Sequence, residues 1–271
     1  MIRELNEIES CMHFINRFAA DPDYSDPMLS TQEEFEVNLL RSVEKPNDHI
    51  LGVYNAEDLT GLFVFLILEE EKYIEMIVGL SDNERAYNEI ADYLQAKYPG
   101  FKADFVFNPR NVLLRELLVS KNAEFDIEQL KMVHSHMPED IDLSGVEPLS
   151  ERYADQYSAM HGTDCYWTAD KVMAAKERFS VYLAVEDSTV VGYIDFTNCF
   201  EENEPYDLFV AEDHRRRGWG RKLITAALKV NYPKSMMLLT ETDNDKAIAL
   251  YESVGFVKAE GQNSQTATWL I

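Results

Sequence analysis

The sequence predicts an α+β fold, a mixed α/β sheet with helices on both faces, built twice in tandem. Three observations predict it. The same order of helical and strand-like patterns runs through the chain twice. The long helical segment of each copy ends in the same dipeptide, Tyr98-Pro99 and Tyr232-Pro233. Between the copies lies HSHMPEDIDLSGVEP, residues 134–148, whose Pro138, Gly145 and Pro148 break any periodicity. A length of 271 residues fits about two domains of roughly 130 each. The expected domains are 1–138 and 139–271.

In the first copy a strand-like start over 1–5 leads into a helix with Ile8, Cys11, Met12, Ile15 and Phe18 on one face. In STQEEFEVNLL, Ser30 or Thr31 is the N-cap and Glu33 or Glu34 follows three residues later, a capping box. Strands are expected at 49–56 and 62–68 around the turn-prone EDLTG, and at 73–80. A helix over 84–98, a strand over 101–108 and a helix over 112–121 follow. In the second copy, 145–149 precedes a helix over 150–160, and Thr168 caps ADKVMAAKERF. Strands over 181–186 and 190–197 form a hairpin across DST. A strand at 206–211, a helix at 219–232, a strand at 235–240 and a helix at 246–254 complete the copy. Proline stops each long helix because the residue before it is pushed out of the α region. Antiparallel strands followed by strand–helix–strand give a mixed sheet.

Hydrophobic residues make up 46% of the chain, enough for two cores. The longest apolar run, residues 62–68, is far short of the ~20 residues a membrane helix needs. MIRELNEIES is not a signal-peptide pattern. Cys11, Cys165 and Cys199 are odd in number and widely spaced, as expected of reduced thiols in a cytoplasmic protein. His134 and His136 share a strand face, but no third ligand accompanies them, so no metal is expected. The net charge is −24, split as −16 over 1–140 and −8 over 141–271. A field of that sign repels nucleic acid and anionic membranes and attracts cations.

Against this background HRRRGWGRKL, residues 214–223, concentrates five bases among the eight residues from 215 to 222. YDLFVA before it is a buried strand. Leu223, Ile224, Ala227, Leu228 and Val230 after it form one helical stripe. Strand, glycine loop and helix N-terminus make a site for an anionic phosphate. The first amides of the helix are unpaired, and the dipole there is positive. Neither GxxxxGK[ST] nor GxGxxG is present, since Leu223 stands where a third glycine would be.

Arg215-Arg216-Arg217-Gly218-Trp219-Gly220 resembles the [RQ]xxGx[GA] acetyl-CoA loop of the GNAT N-acetyltransferases. Asn244, Ala247, Leu250, Tyr251, Gly255 and Phe256 in NDKAIALYESVGF resemble a second motif of that superfamily at the expected separation. The resemblance implies a GNAT-like second domain that moves an acetyl group from acetyl-CoA, a co-substrate, to a primary amine in a ternary complex. The backbone from Arg217 to Arg221 would hold the pyrophosphate, with Arg215 and Arg216 beside it. Phe209 and Val210 would bond the pantetheine arm as an added strand, and Asn244 and Ala247 would lie along it. Tyr251 would protonate the departing thiolate. Glu204, fourteen residues before Gly218, would serve as general base, with Glu201, Glu202 and Asp207 as competitors. The implied acceptor is a cationic small molecule or a peptide amine. His161, Asp164, Tyr166 and Trp167 of AMHGTDCYWTADK line its site or pack a plain helix–helix loop.

The first copy keeps the helix of the second motif, with Asn108 seven residues before Arg115 as Asn244 is before Tyr251. It has LSDNERAYNEI where the glycine loop should be. The resemblance therefore extends to tandem GNAT proteins whose first domain is degenerate, with one cofactor site per chain. The alternative is a CoA-binding sensor without turnover. The chain is expected to be a monomer or a homodimer.

Overall fold

The computed structural model describes residues 1–19, 26–163 and 165–271. It divides into two compact units: Met1–Leu130 with Glu260–Ile271, and Lys131–Ala259. The division does not fall at 138/139. The cause is strand pairing. The C-terminal strand Gln265–Leu270 lies antiparallel against Lys102–Phe107 and completes the first unit's sheet. Residues 132–134 lie antiparallel against Phe256–Lys258 in the second unit.

The first unit holds a seven-stranded sheet in the order Ile2–Glu4, Asp48–Asn55, Asp58–Leu68, Tyr73–Leu80, Lys102–Phe107, Gln265–Leu270, Glu124–Phe125. Alternation along its apolar run sends Leu62 and Val64 to one face, with Ile8, Cys11, Ile15, Phe18 and Leu39. Phe63, Phe65 and Ile67 go to the other, against the helices Glu84–Lys97 and Val112–Ser120. A strand buried on both faces reads as a continuous apolar run. The turn before it is tighter than EDLTG suggested: only Ala56 and Glu57 separate the strands, and Leu59, Thr60 and Gly61 are already in the ladder. The capping box forms at Thr31, whose hydroxyl accepts from the Glu34 amide while the Glu34 carboxylate accepts from the Thr31 amide.

The second unit holds two four-stranded sheets. One runs Pro205–Val210, Thr189–Thr197, Phe179–Glu186, Val146–Pro148. The other runs Glu202–Asn203, Ser235–Glu241, Gln129–His134, Phe256–Lys258. Asp187 and Ser188 both have positive φ, the backbone that a two-residue hairpin turn requires. Thr168 precedes the helix Ala169–Ala174, but its side chain makes no capping bond. Glu204 separates Glu202–Asn203 from the strand that opens at Pro205, a residue with no N–H for a ladder. Beyond Asn203 the chain leaves the second sheet and continues as the edge of the first. The gap between the sheets at this point positions the site. Among the described residues no helix is long and apolar enough to cross a membrane.

Candidate active site

The loop over 211–218 joins the edge strand Pro205–Val210 to the helix Trp219–Asn231. Gly218 is the N-cap, left-handed at φ 88, and no side chain caps the helix. The first intrahelical bond runs from the Lys222 amide to the Gly218 carbonyl. The amides of Trp219, Gly220 and Arg221 are thus left for an external acceptor. Helix dipole and open amides together favour an anion. Space around Gly218 is open: a Cβ there would meet nothing within 4 Å, so the backbone conformation is what selects glycine. Gly220 is small for another reason. A Cβ there would press on Leu250 at 3.3 Å, toward the helix Asp245–Ser253 and away from the loop.

The basic side chains are less available than the sequence suggested. Arg215 donates through Nε to the Val210 carbonyl at 2.9 Å. Arg217 pairs with Glu186 at 3.5 Å. Arg221 donates to the Ser253 carbonyl at 2.6 Å, capping the neighbouring helix. Lys222 pairs with Asp142 at 2.8 Å. Trp219 turns its ring onto Gly145. Arg216, at φ 64, makes no ion pair among the described residues. The loop therefore offers an anion backbone amides, with Arg216 the guanidinium beside them that makes no ion pair among the described residues.

Pairing with Thr189–Thr197 decides which backbone groups of the edge strand are free. The Ala211 amide bonds the Val191 carbonyl, and the register sets Tyr193 opposite Phe209. Antiparallel alternation then turns the polar groups of Phe209 inward and those of Leu208 and Val210 outward. Of the expected pair Phe209 and Val210, only Val210 turns its backbone groups outward, as Leu208 does, because the register sets the two-residue period. The Phe209 ring stacks on Tyr193, with centroids 5.9 Å apart.

Asn244 caps the helix Asp245–Ser253 by accepting from the Ala247 amide at 3.2 Å. That bond uses the Asn244 carbonyl oxygen and the Ala247 N–H on each other. Asn111 caps Val112–Ser120 in the same way through the Leu114 amide. Superposing the two caps pairs Tyr251 with Leu118, and not with Arg115. The sequence comparison from Asn108 was three residues out, because a spacing of seven occurs from either asparagine and only the cap distinguishes them. Tyr251 is half-buried, its ring 5.9 Å from Phe256. Burial, and then the charge of Asp207, push its phenol above the usual value. It therefore stays protonated through neutral pH, the form a proton donor needs.

On the other side of the gap, Glu204 is half-buried and pinned through its backbone. Its amide donates to Thr197 Oγ1 at 2.9 Å, and its carbonyl takes the Thr197 amide at 2.9 Å. Asp207 accepts a short bond from the Tyr193 hydroxyl. Sequence reasoning missed a buried network behind it. Asp195, wholly inaccessible, accepts from the Tyr157 hydroxyl at 2.8 Å and meets His161 Nε2 at 2.9 Å. Burial holds the Asp195 carboxyl up at about 6. Of the two readings of His161, as a site-lining or a packing residue, the structure shows packing: it is sealed inside, its other nitrogen on the Gly162 carbonyl. Tyr166 is exposed, and Trp167 packs against Phe179 with centroids 4.9 Å apart. Asp164 lies outside the described residues. Among those residues no group of three or more His, Cys, Asp or Glu is placed to hold a metal.

Comparison with known proteins agrees with this geometry. Residues 177–258 match the family model of the acetyltransferase (GNAT) domain. A mycothiol acetyltransferase of Corynebacterium aurimucosum is 43% identical over 60 residues, 21% of this chain and 20% of that protein. The match thus spans about a fifth of that relative's length. Three solved structures cover almost the whole chain. A GCN5-related N-acetyltransferase from Sphaerobacter thermophilus superposes with TM-score 0.62 at 11% identity, covering 99% of this chain and 94% of that one. A GNAT-family acetyltransferase from Colwellia psychrerythraea gives 0.58 at 12%, covering 100% of each chain. A tandem GNAT protein from the clavulanic acid biosynthesis pathway gives 0.58 at 12%, covering 99% and 97%. Residues 177–258 of the second unit thus match the acetyltransferase (GNAT) domain model, and the chain shares its fold with a tandem GNAT protein over 99% of its length.

Proposed function

We propose that the second unit transfers the acetyl group of acetyl-CoA to a primary amine by direct attack in a ternary complex. The observation that carries this reading is the uncapped helix N-terminus behind left-handed Gly218, next to an open strand edge. The residues fit the co-substrate. Amides of Trp219, Gly220 and Arg221 hold the pyrophosphate, with Arg216 alongside. The outward backbone groups of Leu208 and Val210 bind the pantetheine amides, and Arg215 releases the Val210 carbonyl as they do so. The co-substrate supplies an acetyl group already activated as a thioester. Tyr251, kept protonated by its surroundings, gives its proton to the leaving sulfur.

The attacking amine must lose a proton, and an ordinary lysine-like amine at pH 7 costs roughly 4–5 kcal/mol to deprotonate. A carboxylate at the start of the edge strand lowers that cost. Glu204 is the residue proposed for it, and Asp207, whose charge helps raise the Tyr251 phenol, is a competitor. Release of free thiol from acetyl-CoA, measured over a panel of primary amines, tests the proposal. Tyr251→Phe should lower kcat about 10²–10⁴-fold, the range of a lost general acid, and leave CoA affinity unchanged. Equal thiol release by wild type and variant removes Tyr251 from the mechanism. Tight CoA binding without release by the wild type, whatever the amine, replaces the enzyme with a CoA-binding sensor.

A further inference from the structure

Arg178, beside Trp167, has no explanation in the mechanism above. Its guanidinium carbon lies 5.0 Å from the ring of Trp167, 5.3 Å from Phe200 and 5.7 Å from Phe179. The side chain is half-buried, and Nε is fully buried with no hydrogen-bond partner. Among the described residues the guanidinium meets no carboxylate, in a chain with 49 acids. Neither its neighbour Glu177 nor Glu201, next to Phe200, pairs with it. A desolvated donor left unpaired costs about 1–3 kcal/mol, and a planar fork is shaped for two oxygens of one anion.

The cage around it is rigid. Asn203, completely buried, accepts from the Phe200 amide at 3.0 Å and donates to the Phe200 carbonyl at 2.9 Å. Asn198 donates to Ser180 Oγ at 2.9 Å, and its amide bonds the Arg178 carbonyl at 2.8 Å. The cage also reaches the strand that carries the chemistry. Phe179 touches Tyr206, with centroids 5.8 Å apart. Asp207 is the next residue. Two other cations of the region are committed: Lys171 to the Tyr166 carbonyl at 2.8 Å, and Lys234 to the Asn198 carbonyl at 2.9 Å.

We infer that Arg178 is the docking point for an oxyanion, carboxylate or phosphate, carried by the acceptor. The acceptor is then an amine that also bears an acidic group, and not the purely cationic amine that the chain's charge suggested. The amine half of this statement rests on the proposed transfer reaction, whereas the anion site stands on its own geometry.

The two halves are tested separately. Side-chain ¹⁵N–¹H spectra of the full chain, with Arg178→Met to assign the Arg178 Nε–H signal, are titrated with sodium acetate or inorganic phosphate at fixed ionic strength. A saturable shift of that signal is expected. Arg178→Lys, which keeps the charge without the fork and guards against misfolding of the methionine variant, should bind at least about tenfold more weakly. Saturation by acetate alone assigns a carboxylate, and by phosphate alone a phosphate. No saturable shift with either overturns the site. Thiol release from acetyl-CoA is then compared for β-alanine against propylamine, and phosphoethanolamine against ethanolamine. The acidic member of at least one pair should have the higher kcat/KM by about tenfold, through KM, and Arg178→Met should erase the difference. Equal rates within both pairs overturn the acceptor assignment. A saturable shift with no transfer to any amine leaves the anion site standing and removes the reaction.

Discussion

In the first unit the strand Tyr73–Leu80 reaches the helix Glu84–Lys97 through residues 81–83; in the second, Pro205–Val210 reaches Trp219–Asn231 through 211–218. Three linking residues against eight is the difference between a closed corner and an open one. In the short loop, Asn83 Oδ1 takes the Ala86 amide and Glu84 adds a negative charge to the first turn. The buried Tyr87 hydroxyl holds the Ser81 carbonyl at 3.1 Å. Next to that corner the strand edge is also closed from within. Parallel pairing with Lys102–Phe107 ends at Met76, and the Gly79 amide beyond it goes to Asp26 Oδ2 at 3.1 Å. Each feature left for a ligand in the second unit is met by a side chain in the first. On the proposed reading, the first unit lacks a cofactor site because internal side chains take the ligand's place, with the helix and strand kept intact around them.

The strongest way to break the comparison is to exchange the corners. Replacing residues 211–218 by Ser-Asp-Asn gives the second unit the short, side-chain-capped loop. Two charge-assisted bonds to phosphate at about 1.5–3 kcal/mol each would go, so CoA affinity measured by calorimetry should fall at least about 100-fold. Retention of affinity with a native circular dichroism spectrum would show that the loop is not the anion site.

Asp26 offers the next largest effect, in stability. Burial raises its carboxyl to about 7, against the pull of the Gly79 and Met28 amides. An unfolded Asp titrates near ~3.9. Between the two values the folded state holds a proton that the unfolded state has released. Stability therefore falls as pH rises from about 4 to about 7, by up to about 4 kcal/mol, and is level above that window. Urea midpoints of wild type and Asp26→Asn across this range should diverge with that sign. Parallel curves would mean that the carboxyl is ionised throughout in the folded state.

The sequence made most of these elements legible. Helices expected at 84–98, 112–121, 219–232 and 246–254 are found within one residue of those bounds, because capping asparagines, a glycine and prolines mark their ends. The glycine loop was legible for the same reason: its backbone needs a residue type. Features decided by pairing across long separations were not. Nothing local in 265–270 says that this strand completes the first unit's sheet. The inward turn of Phe209 depends on its register with Tyr193, and the burial of His161 depends on Asp195, thirty-four residues away. Even the repeated Tyr-Pro signature hides a divergence: Tyr98 is 4% exposed and Tyr232 is 76% exposed.

Gly218→Ala tests whether the open corner depends on backbone alone. No atom lies within reach of the new Cβ, so the left-handed conformation is the one penalty, about 1–2 kcal/mol. That strain should lower the unfolding free energy of the second unit, and CoA affinity should drop roughly 5–30-fold if the loop relaxes to escape it. Unchanged values in both measurements would mean that the loop has a second conformation as good for the ligand as the first.

The smallest effect sharpens the comparison from the closed side. Asn83→Ala removes the cap of Glu84–Lys97 and should destabilise the first unit by about 1 kcal/mol. It also takes the side-chain acceptor from the Ala86 amide, the position of Arg221 in the second unit. If capping alone kept anions out, the variant would gain a second, weak CoA site by calorimetry. The expected result is no gain. The loop over 81–83 is too short to wrap a pyrophosphate, Glu84 repels it, and Asp26 still occupies the Gly79 amide where the pantetheine arm would pair. A stoichiometry above one CoA per chain in Asn83→Ala would place the closure in that single side chain. A stoichiometry of one, with the expected loss of stability, would place it in the loop length and the filled edge together.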